Sequence, residues 1–264
     1  MDKNTNCSIV IPSCDAYSDA WDPFFGFFFK YWPDCPFQIY LISETKSFGD
    51  NRVKPILLGK DFGWANNVDK ALKQIPDKYF IYFLEDVFLL KTVDTARVLR
   101  LLEITKRDNV ACLRLYPAPG PDMLYTKDKE LGIIGKNAPY RVSTMTAIWN
   151  KNSFLELMRS GENAWQMEWD GTKRSSVMNE LFLSVYKKNP AIDYYATAIK
   201  RGKWFYDAIA LCKKEGIYVD TSKRKVETRN KYILRKIYSF PPIHFINRVI
   251  RRIKKSIIPR GNNA

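Results

Sequence analysis

Residues 79–90 read YFIYFLEDVFLL: ten apolar or aromatic side chains interrupted by two adjacent acids, Glu85 and Asp86. A run this continuously apolar predicts a strand buried on both faces, as in a sheet covered by helices. Two neighbouring carboxylates repel each other unless hydrogen-bond donors or a cation compensate. In open α/β sheets ligands bind outside the carboxyl ends of the strands. The pair therefore marks one of two things. It is a ligand edge, where Mg²⁺ uses one or two carboxylates and completes its shell with substrate phosphates, or it is a solvated strand end whose acids cap the next turn.

Outward from this stretch, strand and helix patterns alternate. CSIVI (7–11), FQIYLIS (37–43), VKPILL (53–58) and VACLRLY (110–116) read as strands. AWDPFFGFFFKYW (20–32) reads as a helix with Pro23 in its first turn, where proline is tolerated. WANNVDKALKQI (64–75) has helical spacing, and residues 92–107 form an amphipathic helix capped by Thr92 or Asp94. Such alternation predicts an α/β fold with a mixed, mostly parallel sheet flanked by helices.

Composition narrows the class. The chain of 264 residues is 46% hydrophobic and 14% aromatic, enough for a sizeable core. Its five cysteines (Cys7, Cys14, Cys35, Cys112, Cys212) are scattered, with no CxxC pair, which argues against a structural zinc site and a disulfide framework. The N-terminus lacks a signal-peptide pattern, and no apolar run is long enough to span a bilayer, so a cytoplasmic location is expected. Charge is uneven: residues 1–199 carry 25 Lys and Arg against 24 Asp and Glu, whereas residues 200–264 carry 18 against 4. The excess belongs to the C-terminal part, which points to an anionic surface as its partner.

Several motifs in order resemble the GT-A glycosyltransferases, and in particular bacterial enzymes that build surface polysaccharides such as capsule and O-antigen. SIVIPSCDAY, GKDFGWANNVDKAL and the acidic LED carry the likeness in the first half. PYRVSTMTAIWNKNSFLELMRSGENAWQMEWDGTKRS and IKRGKWFYDAIALCKKEGIYVD carry it in the second, so that it covers about residues 7–220. One departure stands out: Leu84 occupies the position where the usual Asp-X-Asp motif has its first acid.

The resemblance implies a GT-A-like domain over 1–225, with 1–115 binding a nucleotide sugar and 116–225 the acceptor, followed by a basic tail over 226–264. It implies that Asp86 ligates Mn²⁺ or Mg²⁺ at the donor diphosphate, with Glu85 assisting or binding the ribose. The loop at Pro12 and Ser13 holds the nucleoside; Asp15 accepts from the base or ribose and Tyr17 offers a stacking face, unless both serve ordinary loop chemistry. Trp64 and Asn67 open a helix at the same edge, Asn67 as a donor ligand or as a capping and packing group. In the segment ENAWQMEWD an inverting transferase finds its base, Glu168 or Asp170, flanked by Trp165 and Trp169, whose faces suit a sugar ring. The alternative leaves these acids in solvent and the tryptophans in the core. Lys203 and Arg174 are further candidates for phosphate contact or for solvated basic surface.

The only histidine, His244, lies in the tail, so acid–base work falls to carboxylates. There Ile243, Ile246, Val249, Ile250, Ile253 and Ile257 make a helical stripe among Arg and Lys. Residues 240–258 thus read as an amphipathic helix on anionic lipid, against a helix docked on the protein's own core. Nucleic acid is the less suitable partner, because the bases would lack exposed aromatics interleaved with the charge. The function expected is an inverting hexosyl transfer from a nucleotide-diphosphate sugar to a lipid-linked saccharide at the inner face of a membrane. The rival is a non-catalytic module that holds membrane or nucleic acid.

Overall fold

The structure, a computed structural model, describes residues 5–239. β1 (Cys7–Pro12) runs through a 3-10 turn (Asp15–Ala20) into α1 (Trp21–Tyr31), followed by β2 (Gln38–Ser43), β3 (Val53–Leu57) and α2 (Trp64–Leu72). β4 (Tyr79–Tyr82), β5 (Phe88–Leu89), α3 (Thr95–Arg107) and β6 (Val110–Arg114) complete the first half. The second contributes β7 (Met123–Leu124), β8 (Leu131–Ile133), β9 (Ala147–Asn150), α4 (Lys151–Leu157), α5 (Ala164–Ser175) and β10 (Leu181–Val185). β11 (Tyr194–Tyr195), the hairpin β12 (Ile199–Lys200) and β13 (Lys203–Trp204), α6 (Tyr206–Glu215) and α7 (Arg229–Ser239) close the described chain.

Nine strands form one sheet in the order β3-β2-β1-β4-β9-β6-β10-β8-β7. Only β9 and β8 run against the rest, so the sheet is mixed and mostly parallel, as the alternation of strands and helices predicts. β6 from the first half lies between β9 and β10 from the second. The expected boundary near residue 115 therefore does not divide the sheet.

The apolar run has a physical reason in this sheet. Side chains alternate faces along a strand. Tyr79, Ile81 and Phe83 join the core that holds Phe24 and Phe28 of α1 and Leu101 and Leu102 of α3. Phe80 and Tyr82 join the opposite core, with Val68, Ala71 and Leu72 of α2 and Met167 of α5. Both faces are dry, so neither can be polar.

The expected single strand over 79–90 is not what forms. β4 stops at Tyr82, the chain turns at Glu85 and Asp86, where the Val87 amide donates to the Leu84 carbonyl at 3.3 Å, and β5 pairs antiparallel with β11 in a separate ribbon. Carboxylates cannot enter a sheet that is apolar on both sides, and the turn keeps them at its edge. Most of SCDAYSD (13–19), a loop by its polar sequence, winds with Ala20 into the 3-10 turn. The cap of α3 is Asp94, whose carboxylate accepts from the Arg97 amide at 2.9 Å.

The start of the basic tail packs on the body. Arg235 pairs with Asp207 at 2.5 Å and with Glu227 at 3.0 Å, and lies over the Phe205 ring. The amphipathic segment 240–258 and His244 lie outside the described residues. Among the described residues no helix is long and apolar enough to cross a membrane.

Removing the α3 cap separates the two candidate residues. Asp94→Ala should cost about 1 kcal/mol in urea unfolding, whereas exposed Thr92→Ala should stay within about 0.5 kcal/mol of wild type. Equal effects would mean that the cap is not Asp94.

Candidate active site

β1 has β2 on one side and β4 on the other, so successive connections leave it in opposite directions. The crevice outside the carboxyl ends of β1 and β4 is then the place where a doubly wound sheet receives a ligand. Pro12 closes β1, and Ser13 follows it. The Ser13 hydroxyl accepts from Trp21 Nε1 at 2.9 Å and donates to Glu85 Oε1 at 3.2 Å, joining the two loops across the crevice.

Glu85 is buried, and burial with Asp86 beside it pushes its carboxyl up to about 8, although the Ser13 hydroxyl and the Arg224 charge pull the other way. Asp86 is half-buried; desolvation raises it to about 6 against the Ile199 amide and Arg224. The Asp86 carbonyl accepts from the Ala198 amide at 2.7 Å, so the β12–β13 hairpin is rooted on this turn. Two hard oxygen donors, adjacent and withdrawn from water, fit a divalent cation whose shell is completed by phosphate. Among the described residues no third His, Cys, Asp or Glu joins them.

The loop after β1, expected to hold a nucleoside, is more committed than its sequence suggests. Asp15 accepts from the amides of Thr45 and Lys46 at 3.1 and 3.0 Å and from the Thr45 hydroxyl at 2.5 Å. Partial burial pushes its carboxyl up, but these donors more than compensate and hold it at about 2. Any base or ribose would share oxygens already engaged by the loop after β2. Tyr17 is half-buried, and the Arg224 guanidinium covers one face of its ring, 4.3 Å from the centroid. Arg224 itself forks onto buried Asp19, with Nε and Nη2 at 2.9 and 3.0 Å from its carboxylate oxygens.

On the other side of the crevice, Trp64 Nε1 donates to the Tyr82 hydroxyl at 3.3 Å. Asn67 is buried and internally satisfied: its Oδ1 accepts from the Phe62 amide at 3.0 Å and its Nδ2 donates to Asp61 at 2.8 Å. That is the packing and capping alternative, not a group held open for a ligand.

Strand register brings the second carboxylate constellation to this edge. Tyr82 of β4 pairs with Ala147 of β9. Because these strands are antiparallel, the loop leaving β4 at 83–86 and the loop entering β9 at 143–146 lie at one end of the sheet. Glu168 of α5 points into the latter: its Oε1 accepts from the Thr144 amide at 2.6 Å, the Thr144 hydroxyl at 2.9 Å and the Ser143 hydroxyl at 3.1 Å. Its Oε2 has no hydrogen-bond partner among the described residues. The Tyr82 hydroxyl, raised by burial, lies in the field of Glu85, Glu168 and Asp86 together. The Ala65 amide also donates to the Glu162 carbonyl at 3.2 Å, tying the start of α2 to the start of α5.

Asp170 is placed differently, pairing with Lys173 at 2.7 Å on the outer side of α5. Trp165 and Trp169 are 80% and 61% exposed, so they do not fill the core. Arg174 braces the start of α5, pairing with Glu162 at 2.8 Å and donating to the Leu157 carbonyl at 2.7 Å. Lys203 is exposed on the hairpin and lines a basic groove with Lys200, Arg201, Phe205 and Lys231. The residues missed by sequence reasoning are Arg224, Asp19, Tyr82, Ser143 and Thr144. Nothing local marks them; Asp19 and Arg224 are 205 residues apart.

No protein-family model matches the chain, and no curated protein sequence does. Among solved structures it is similar to S. aureus TarS 1-349 in complex with UDP, at 14% identity over 89% of this chain and 72% of that one, with a TM-score of 0.48. It is similar to the mannosyltransferase PcManGT from Pyrobaculum calidifontis, in complex with GDP-Man and Mn²⁺, at 9% identity over 75% and 58%, with a TM-score of 0.46. It is also similar to GalNAc-T7 with UDP, GalNAc and Mn²⁺, at 12% identity over 72% and 44%, with a TM-score of 0.48. The chain thus spans less than two thirds of the latter two. Superpositions at this level leave the chemistry to the chain's own residues.

The buried pair makes stability depend on pH with a definite sign. Both carboxyls titrate above their unfolded values, so between about 4 and about 8 the folded state binds more protons than the unfolded one. Stability then falls as pH rises through that window. In chelator, Tm should drop from pH 6 to pH 8.5, and Glu85→Gln should flatten the slope. Added Mn²⁺, which needs the ionised carboxylates, should raise Tm more at pH 8 than at pH 6. Identical slopes for wild type and Glu85→Gln would contradict the buried pair.

Proposed function

We propose that the protein is an inverting GT-A-type glycosyltransferase that moves a hexose from a nucleotide-diphosphate sugar to a saccharide acceptor. The observation that carries this reading is the meeting of two carboxylate constellations at one sheet edge, Glu85 and Asp86 on one loop and Glu168 on the other. The order of motifs that resemble surface-polysaccharide enzymes supports the finer reading of a lipid-linked acceptor.

In this reading residues 1–115 bind the donor and 116–225 the acceptor. Ser13, Tyr17, Trp64 and the Glu85–Asp86 turn border the donor. Asp86, with Glu85, would hold a Mn²⁺ or Mg²⁺ ion, which neutralises charge on the diphosphate leaving group. Glu168 is held in one orientation by three donors on Oε1, and Oε2 takes the proton of the acceptor hydroxyl as that oxygen attacks the anomeric carbon. The C–O bond to the acceptor forms as the bond to the diphosphate breaks, and the proton remains on Glu168. A base fixed by neighbours loses less entropy in reaching that geometry. Lys203, on the hairpin whose preceding residue Ala198 bonds the Asp86 carbonyl, is a further candidate for phosphate contact.

The donor is found by measuring nucleoside-diphosphate release from UDP-, GDP-, CDP-, ADP- and dTDP-sugars with Mn²⁺ or Mg²⁺. Glu168→Gln should lower turnover on the order of 10²–10⁴-fold with donor affinity retained. Wild-type turnover in that variant would remove Glu168 from the chemistry, and no release from any donor would remove the transferase reading.

The membrane role assigned to residues 240–258 rests on charge and pattern. Basic residues near an anionic surface contribute about 1 kcal/mol each. Truncation after Ser239 should release the protein from anionic liposomes and spare donor hydrolysis. Full-length protein that ignores such liposomes at low salt would refute the attachment.

A further inference from the structure

Arg224 belongs to a segment that sequence reasoning treats only as part of a basic run, yet it reaches the 3-10 turn that follows β1. After α6 the chain returns along Trp204. The Trp204 amide donates to the Lys225 carbonyl at 3.0 Å, and the Glu227 amide donates to the Trp204 carbonyl at 2.8 Å. This strap sets Arg224 over the 3-10 turn that follows β1. There its side chain is 10% exposed and Asp19 is 2% exposed. Nη2 also donates to the Ala16 carbonyl at 3.0 Å, and the guanidinium plane covers Tyr17.

A buried ion pair is a poor device for stability alone, because desolvation offsets much of its attraction. It is a good device for holding a guanidinium still. The fork on Asp19 uses the Nε and Nη2 edge, so Nη1 stays outside the pair. The charge acts on Glu85, Asp86 and Tyr17, the groups that line the crevice between β1 and β4. With the fork on Asp19, Nη1 is the guanidinium nitrogen left to donate to a phosphate oxygen, a charge-assisted bond of the kind arginine makes to phosphate.

We propose that Arg224 is the fixed cation of the donor pocket and binds the diphosphate of a nucleoside diphosphate, with Asp19 and the strap at Trp204 as its positioning groups. This rests on the donor-site reading above and adds to it. The segment after α6 thereby adds a cation to a site whose acids come from the first half of the chain. Arg224 also covers one face of the Tyr17 ring, so that the two side chains hold each other in place.

The test compares calorimetric affinities for UDP and GDP with those for uridine and guanosine, in the full chain with Mn²⁺. Arg224→Lys keeps the charge but loses the fork. The double variant Asp19→Asn with Arg224→Gln removes both charges, so that no carboxylate is left buried alone, and thermal melting checks its fold. The double variant should bind the diphosphate about 10- to 100-fold more weakly and the nucleoside within about threefold of wild type. Arg224→Lys should fall between. Equal loss for nucleoside and diphosphate would make Arg224 a brace for the Tyr17 turn and overturn the assignment. Unchanged diphosphate affinity in a folded variant would overturn it too. Wild-type protein that binds neither diphosphate would bring down the donor site itself, a separate result from loss confined to the variants.

Discussion

An ionised carboxylate taken out of water costs several kcal/mol unless other groups replace its hydration, and the turn that follows the strand at the centre of this protein carries two carboxyl groups. Their placement governs the local architecture. β4 cannot extend through Glu85 and Asp86 because both faces of the sheet are apolar, with Phe80 and Tyr82 on one side and Ile81 and Phe83 on the other. The chain turns, and the groups that meet the turn come from distant places: Ser13 after β1, the Ala198 amide before β12, and the charge of Arg224. Ser13 and Arg224 act on the carboxyl groups, and the Ala198 amide on the main chain that carries them.

The second half of the chain reaches the same edge through strand register. β9 inserts antiparallel between β4 and β6, and pairing Tyr82 with Ala147 puts residues 143–146 beside the acidic turn. A one-residue slip would turn Trp149 and Ala147 to the wrong core. The capping box of Asn163 and Gln166 sets where α5 begins, and Glu168 then meets the Ser143 and Thr144 hydroxyls. The site thus rests on a sheet register and a helix start, both insensitive to local fluctuation. Long side chains complete it.

Much of the fold was legible. Strand and helix alternation, the two-sided burial of YFIY and the aromatic helix after residue 20 follow from patterning alone, since burial on a strand or helix face depends on residues close in sequence. The split of 79–90 was not, because Val87–Leu90 is as apolar as Tyr79–Tyr82 and only pairing with β11 shows that it has left the sheet. Within the site, the Glu85–Asp86 pair and Glu168 could be singled out as carboxylates. Asp15 and Asn67 could be singled out too, but not the internal donors and acceptors that already occupy them.

By itself the sequence determined where the core-forming runs and adjacent acids fall, how charge divides between body and C-terminal part, and that histidine is unavailable to the body as a base. These are properties of composition and of neighbours along the chain. Tertiary structure alone decided that Glu168 turns to the Thr144 loop while Asp170 pairs with Lys173, that Trp165 and Trp169 face outward, and that Arg224 locks onto Asp19. Such pairings join groups remote in sequence. Their geometry comes from strand register and helix packing, which no local pattern encodes.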